Sequence, residues 1–419
     1  MDVETKSTEK IRLLLDKTVD IPNPLTIDIG EEVHIDRISA KGVKIYPGCR
    51  IYGEKTVISA GCRLGSEAPV TVENCFLGPK VELKGGFFSH SVFLEKANMG
   101  MGAHVREGTI LEEEANGAHS VGLKQTILFP FVTLGSLINF CDCLMAGGTS
   151  RKNHSEVGSS YIHFNYTPNQ DKATASLIGD VPRGVMLNQP PIFLGGQGGM
   201  VGPLRLGYGN IVAAGSILRR DCPEDNQLIT DAAPVSGTKD FIPAAYPKIG
   251  RILQNNILYI ANLAALESWY INVRESYFAA QEFGPLIFAG ARDQLSLAKK
   301  ERLKRLKAVA EVVKSPPPQG KLLPEQQKQR QAFYACVRSM EGLFAAGIRS
   351  DATDKACESF ITDFQKTVGS DRKNYIEAIQ HLPPDVSLKG VNWLNSIVTD
   401  WCERASAAVP SMNVFKQEP

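Results

Sequence analysis

The sequence lacks any uninterrupted apolar run long enough to span a bilayer, and it lacks a strong charge of either sign. Its 46 Lys and Arg stand against 45 Asp and Glu, a net charge of +1. Neither nucleic acid nor insertion into a membrane is therefore expected. No CxxC pair occurs among the nine cysteines, and only Cys141 and Cys143 lie close together. That pattern excludes a disulfide framework or zinc ribbon and predicts reduced, buried thiols. The opening "MDVETKSTEK" is polar and mixed in charge, unlike a signal peptide, so a cytoplasmic protein is expected. "GGQGGMVG" has the glycines of a phosphate-cradling loop, but no helix start follows it. What remains is an ordinary globular composition, 43% hydrophobic and 22% charged over 419 residues, enough for two or three domains.

From about residue 27 to 220 a short period is present. Aliphatic residues recur six apart at Ile45, Ile51 and Val57, at Leu64 and Val70, and at Leu77 and Leu83. The series continues as Met99, Val105 and Leu111, then Val121 and Ile127, then Val132 and Ile138. Aliphatic-Gly pairs punctuate it at Leu64-Gly65, Leu77-Gly78, Met99-Gly100, Val121-Gly122, Leu134-Gly135, Leu194-Gly195 and Leu206-Gly207. A step of six fits neither a helix nor simple strand alternation. It fits a short strand on a flat face and a turn to the next face, three faces to a coil. The aliphatic side chains then point into a prism, and glycine supplies the corner geometry. Stacked coils bury one continuous apolar column.

The pattern changes after "RRDCPEDNQLITD". "APVSGTKDFIPAAYPK" reads as a connector. "IGRILQNNILYIANLAALESWYINV" and "ARDQLSLAKKERLKRLKAVAEVVKS" read as helices, the second stopped by prolines 316–318, and three or four more follow to about residue 407. "KKERLKRLK" reads as the solvated face of an amphipathic helix. The expected organisation is an N-terminal segment (1–26), a β-helix domain (27–230), a linker (231–248) and an α-helical domain (249–419).

The coil pattern resembles the hexapeptide-repeat acyltransferase superfamily, which implies a left-handed parallel β-helix followed here by an all-α C-terminal domain. One branch is similar in detail: the acetyltransferase domain of bifunctional N-acetylglucosamine-1-phosphate uridyltransferase/glucosamine-1-phosphate acetyltransferase. "VREGTILEEEANGAHSVGLK" has the register of the coil that carries that family's sugar-phosphate-binding arginine and lysine, matching Arg106 and Lys124. "HFNYTPNQDK" matches its Asn-Tyr pair and following lysine, giving Asn165, Tyr166 and Lys172, the lysine one residue late. "IFLGGQGGMVGPLRLGYGNIVAAGSILRRD" is similar to its last coils, where Gly196, Ala213 and Ala214 would line an acyl-coenzyme A groove. The resemblance covers roughly residues 95–222. It implies acyl-CoA as co-substrate, a sugar phosphate or nucleotide sugar such as UDP-N-acetylglucosamine as ligand, and a homotrimer with sites between prisms.

The chemistry agrees with part of this. Arginine offers a bidentate fork to phosphate, and lysine a compact charge. Amide and phenol groups on a stiff edge read ring hydroxyls. The departures concern catalysis. The family's general base is a histidine, and its position falls near Asn139 in "SLINFCDCL". His154 in "GGTSRKNHSEVG" is the candidate displaced base or phosphate contact, while His119 and His163 read as structural. The insert "DVPRGVMLNQPP" brings Arg183, which could reach a phosphate or narrow the acyl groove. β-Helix carbonic anhydrases hold zinc through three histidines on adjacent coils, a spacing missing here, so no metal is expected. No α/β nucleotide-binding segment precedes the coils, so pyrophosphorylase activity is not expected. Two readings stay open: an acyltransferase, or a sugar-nucleotide-binding or scaffold protein that has lost its base.

Overall fold

The computed structural model describes residues 6–231, 237–238, 240–317, 322–346, 351–369, 374–408, 410–412 and 415. Residues 232–236 and 239 of the expected linker, and both chain ends, lie outside them. The first half is a parallel β-solenoid of about 11 turns, and helices make up the second half.

On the first face, ten two-residue strands from Lys44–Ile45 to Leu228–Ile229 stack in parallel. Ile45, Leu64, Leu83 and Met99 lie in one vertical column there, continued by Leu134, Val157, Leu194 and Val212. The second face carries Ala103–Val105, the start of Gly122–Leu128, the start of Asn139–Met145, then Ile162–Phe164 and Gly199–Val201. Gly122–Leu128 and Asn139–Met145 run around the corner onto the third face, which holds Phe76–Leu77, Ser91–Phe93, Thr109–Leu111 and Ser176–Ile178. Every aliphatic residue of the six-step series is at most 2% exposed.

Gly65 has the left-handed φ expected of a corner glycine (+89°), but the other six glycines of the aliphatic-Gly pairs do not. Gly100 and Gly195 do not have positive φ; a Cβ on Gly100 would lie 2.8 Å from the Ala118 carbonyl carbon, and one on Gly195 2.3 Å from the Ala214 nitrogen. They are glycine because the next coil's backbone occupies the space of a side chain. Many left-handed corners are instead carried by other residues, among them His90, Glu114, Ser120, Leu137 and Asp142.

A second difference explains the helices. On the third face Leu77, Phe93, Leu111 and Leu128 stack in one column, while Val57, Phe76, Val92, Ile110 and Ile127 stack beside it. Both columns are buried, so this face is apolar on both sides, unlike the alternating faces. Val57 and Ile127 thus belong to the column turned towards the helices, not to the prism. Helix α5 lies on that column. A Cβ on its Gly290 would come within 2.5 Å of the Phe76 ring, so the glycine sets how closely helix and solenoid approach.

Helix α1 (Lys6–Asp16) covers the solenoid's first coils, with Lys10 Nζ donating to the carbonyls of Gly30 (2.9 Å), Glu31 (2.6 Å) and Val33 (2.7 Å). A short turn, α2 (Val181–Gly184), lies in the insert. Helices α3 (Ile249–Trp269), α4 (Glu275–Ala279), α5 (Gly284–Lys314), α6 (Pro324–Ala346), α7 (Asp351–Val368), α8 (Tyr375–Gln380) and α9 (Pro384–Ala408) form the second half. Trp269, Phe360 and Trp393 stack at its centre, with ring centroids 5.6 to 6.3 Å apart. Buried polar groups join the halves. Gln294 accepts from the Gly108 N–H at 2.8 Å, and Asn262 from the Val181 N–H at 2.9 Å. Arg274 is enclosed by Glu112 at 3.3 Å, by Glu113, and by the Tyr375 ring at 4.1 Å.

Candidate functional site

Successive rungs of the first face are 16 to 19 residues apart from Ile45 to Ile229, except for 23 between Leu134 and Val157 and 37 between Val157 and Leu194. Two excursions cause this, and the candidate residues gather around them. The first is a hairpin, Gly148–Ser150 with Asn153–His154, between the third and first faces. The second comprises loop 165–175, between the second and third faces, and the insert that holds α2.

Arg106 and Lys124 occupy neighbouring rungs of the second face, the Arg106 N–H donating to Leu123 O at 2.9 Å. Lys124 pairs in register with Cys141. Strand alternation turns all three outward. Beside them, loop 165–175 carries Asn165, Tyr166 and Lys172. Asn165 Nδ2 donates to Asp142 Oδ2 at 3.3 Å, and the Lys172 ammonium lies 5.9 Å from the Tyr166 ring. The loop is fixed from the helical side: Tyr246 OH donates to Asp171 Oδ2 at 3.0 Å, and Asn256 Nδ2 to Ala173 O at 2.9 Å. Asp142 is held by Arg302 of α5 at 2.5 Å, both fully buried.

Cys141 reports the field at this corner. Burial pushes its thiol up to about 11, the Asp142 charge adds to the rise, and Arg106, Lys124 and Lys172 oppose it. One buried sulfur therefore feels all three cations predicted for the ligand. Lys124 is ion-paired with Glu107 at 2.6 Å. Burial would raise the Glu107 carboxyl, but the hydrogen bond from Lys124 leaves it below its ordinary value. The exposed Arg106 guanidinium has no ion pair or hydrogen bond among the described residues. With Asp142 neutralised by Arg302, three cations face Glu107 and Asp171, and the corner is net positive.

Asn139 lies on the same face, paired with Gly122 and Ile162, exposed, its Oδ1 3.5 Å from Cys141 Sγ. His154 is elsewhere, on the hairpin. Its Nδ1 contacts Arg151 O at 2.9 Å and its Nε2 lies 3.6 Å from Glu156. His163 points into the prism between Cys141 O (2.5 Å) and Ser176 Oγ (2.8 Å); burial lowers it to about 4, so it stays neutral. His119, bonded to Ser136 Oγ at 2.8 Å, sits where the first and second faces meet. His104 was passed over in the sequence. It is exposed on the second face, pairs with Gly122 and stacks on Phe87 at 5.1 Å. Because Gly122 has no side chain, a notch separates His104 from Asn139 in one outward column. The signal was available, since His104 is two residues before Arg106 on a strand and so shares its face.

Gly196, Ala213 and Ala214 stack at the corner of the first and second faces. A Cβ on Gly158 would lie 2.4 Å from the Gly196 nitrogen, and Gly215 N–H donates to Gly196 O at 3.0 Å. This wall carries nothing larger than a methyl group, which suits an elongated ligand lying against backbone. It borders the second face opposite loop 165–175. Arg183 is not placed to serve either corner. Asp180 (2.7 Å) and Asp225 (2.5 Å) take up its charge, and it stacks on Tyr208 at 4.7 Å. Among the described residues no group of three or more His, Cys, Asp or Glu could hold a metal, and no helix is long and apolar enough to cross a membrane.

No protein-family model matches the chain. It is similar to Bifunctional protein GlmU of Nitratidesulfovibrio vulgaris, 28% identical over 148 residues, 34% of this chain and 28% of that one. GlmU of another strain of that species is 25% identical over 221 residues, 51% of this chain and 42% of that one. GlmU of Thermotoga maritima is 26% identical over 133 residues, 32% and 26% of the two chains. The chain thus spans between a quarter and two fifths of the length of these relatives. The repeat, the solenoid and these relatives together fit the hexapeptide-repeat acyltransferase superfamily.

Proposed function

We propose that the chain is a cytoplasmic acyltransferase-like protein that binds a sugar phosphate or nucleotide-linked amino sugar at the corner between its second and third faces. The placement of Arg106 and Lys124 on neighbouring rungs of the second face, beside the loop that carries Asn165, Tyr166 and Lys172, carries this reading. Three cations against few carboxylates favour a phosphate, and Asn165 and Tyr166 stand beside them to read hydroxyls. An acyl-CoA would lie along Gly196, Ala213 and Ala214, its thioester supplying the acyl group. In such a transfer the substrate amine attacks the thioester carbonyl, a base takes the amine proton, and the thiol leaves. Asparagine at position 139 cannot take that proton at physiological pH. His104, across the Gly122 notch, is the histidine that this face offers for the task.

A homotrimer belongs to the same proposal. Phe193, Ile211 and Leu228 are exposed and stack in register on the first face, an apolar strip that a second copy would cover. The second reading, a binding protein without turnover, is favoured by the exposed Asn139. Incubation with acetyl-CoA and amino-sugar phosphates, with thiol release followed, separates the two. The acyltransferase reading expects turnover that falls by about a hundredfold or more in His104→Ala and is unchanged in His154→Ala. Ligand-induced thermal stabilisation with no thiol release would leave the binding reading.

A further inference from the structure

The geometry points to a second anion site, for a small phosphate, in a cavity between the solenoid and the helices. It is independent of the corner described above. The cavity has a volume of about 220 Å³, with Arg205 on the solenoid side, Asp180 and Arg183 of the insert at the edge, and Asn262 of α3 and Asn395 of α9 opposite. Sites for drug-sized ligands begin at about 300 Å³, so its occupant is smaller than those.

Charge decides the kind of occupant. Asp180 and Asp225 share the one guanidinium of Arg183, so each of these three groups is engaged within the protein. Arg205 has no such partner: its Nε is buried without a hydrogen bond, and its guanidinium makes no ion pair among the described residues. Asp221, which binds the Arg205 backbone, does not serve the guanidinium. It accepts from the Arg205 backbone N–H at 2.9 Å, while its carboxylate is held by Arg251 at 3.0 Å and Asn255 at 3.2 Å. A half-buried guanidinium left without an acceptor is costly. The fold keeps one here on a stiff rung, paired in register with Leu177. Across the gap, the exposed Asn395 has no hydrogen bond of its own among the described residues and offers an amide donor. A planar fork facing an amide across a small gap suits a tetrahedral oxyanion. Bound there, it would bridge solenoid and helices.

The test is titration calorimetry of the full chain with inorganic phosphate, with acetate in parallel, alongside thermal unfolding. The double variant Arg106→Ala/Lys124→Ala weakens phosphate binding at the other corner and serves as the background. In it, phosphate is expected to bind and raise the midpoint of unfolding, acetate at least about tenfold more weakly. Arg205→Gln should weaken phosphate at least about tenfold. Asn395→Asp changes only an exposed helix position and should weaken it similarly by charge repulsion, which covers the case of Arg205→Gln failing to fold. Undiminished phosphate binding in Asn395→Asp or in a folded Arg205→Gln, equal affinity for acetate, or no binding at about 10 mM phosphate would overturn the assignment.

Discussion

Arg106 and Lys124 sit on adjacent rungs yet are in different states, one without a partner among the described residues and the other engaged by Glu107 at 2.6 Å. Their substitutions should differ accordingly. Arg106→Ala removes a charged donor worth about 1.5–3 kcal/mol, a loss of roughly tenfold to a hundredfold in sugar-phosphate affinity. Glu107→Gln frees Lys124 from a competing carboxylate and should tighten the same ligand, as measured by calorimetry. A structural role for the pair would give no gain in Glu107→Gln. At the buried junction, burial raises the Glu112 carboxyl from 4.5 to about 7, Arg274 opposing and Glu113 adding to the rise. Because its folded value lies above its unfolded one, its contribution is fully present below about pH 4.5 and is lost as pH rises through about 7. Stability measured by denaturant unfolding should therefore fall across that window, and Glu112→Gln should flatten the fall. The sequence identified Arg106 and Lys124 by register and missed Arg274 with its two glutamates, because a buried ion cluster reads as "LEEEAN", ordinary surface polarity, until a helix covers it.

Among the elements, the third face could have been read further than it was. Val92-Phe93, Ile110-Leu111, Ile127-Leu128 and Leu144-Met145 put two large apolar residues side by side where the other faces alternate. Paired apolar residues mean a face covered on both sides. The six-residue period identified the prism correctly but cannot distinguish a column inside it from one under a helix. Gly290 tests the docking. In Gly290→Val the added atoms meet the Phe76 ring, already within 2.5 Å of an ideal Cβ. The expected cost is about 1–3 kcal/mol, read as a lower unfolding midpoint with the helical content of the folded protein kept. No change in midpoint would mean that α5 does not bear on Phe76. Loop 165–175 was placed by its Asn-Tyr pair. That it is anchored by Tyr246 and Asn256, from the connector and α3, has no signature in local sequence.

For the molecule as a whole, α3 and α5 pack on the third face, while exposed side chains remain on the first and second faces. Face one changes along its length, from Arg63 and Glu82 near the start to exposed Phe193, Ile211 and Leu228 near the end. Assembly through the apolar end is the expectation, and Ile211→Asp should shift the sedimentation mass towards that of one chain. An unchanged mass would remove this strip from any interface. The helical half was recognised as helical but not as the wall that holds Asp142, Asn165 and the loop in place, since contacts across 160 residues of sequence, such as Arg302 with Asp142, leave no periodic trace.

The most direct check is calorimetric titration of a UDP-amino sugar and of an amino-sugar phosphate into the wild-type chain, Arg106→Ala and His154→Ala. A cationic pocket at the corner of faces two and three predicts binding by wild type, equal binding by His154→Ala, and at least about tenfold weaker binding by Arg106→Ala. The same affinity in Arg106→Ala as in wild type, or loss only in His154→Ala, would contradict it.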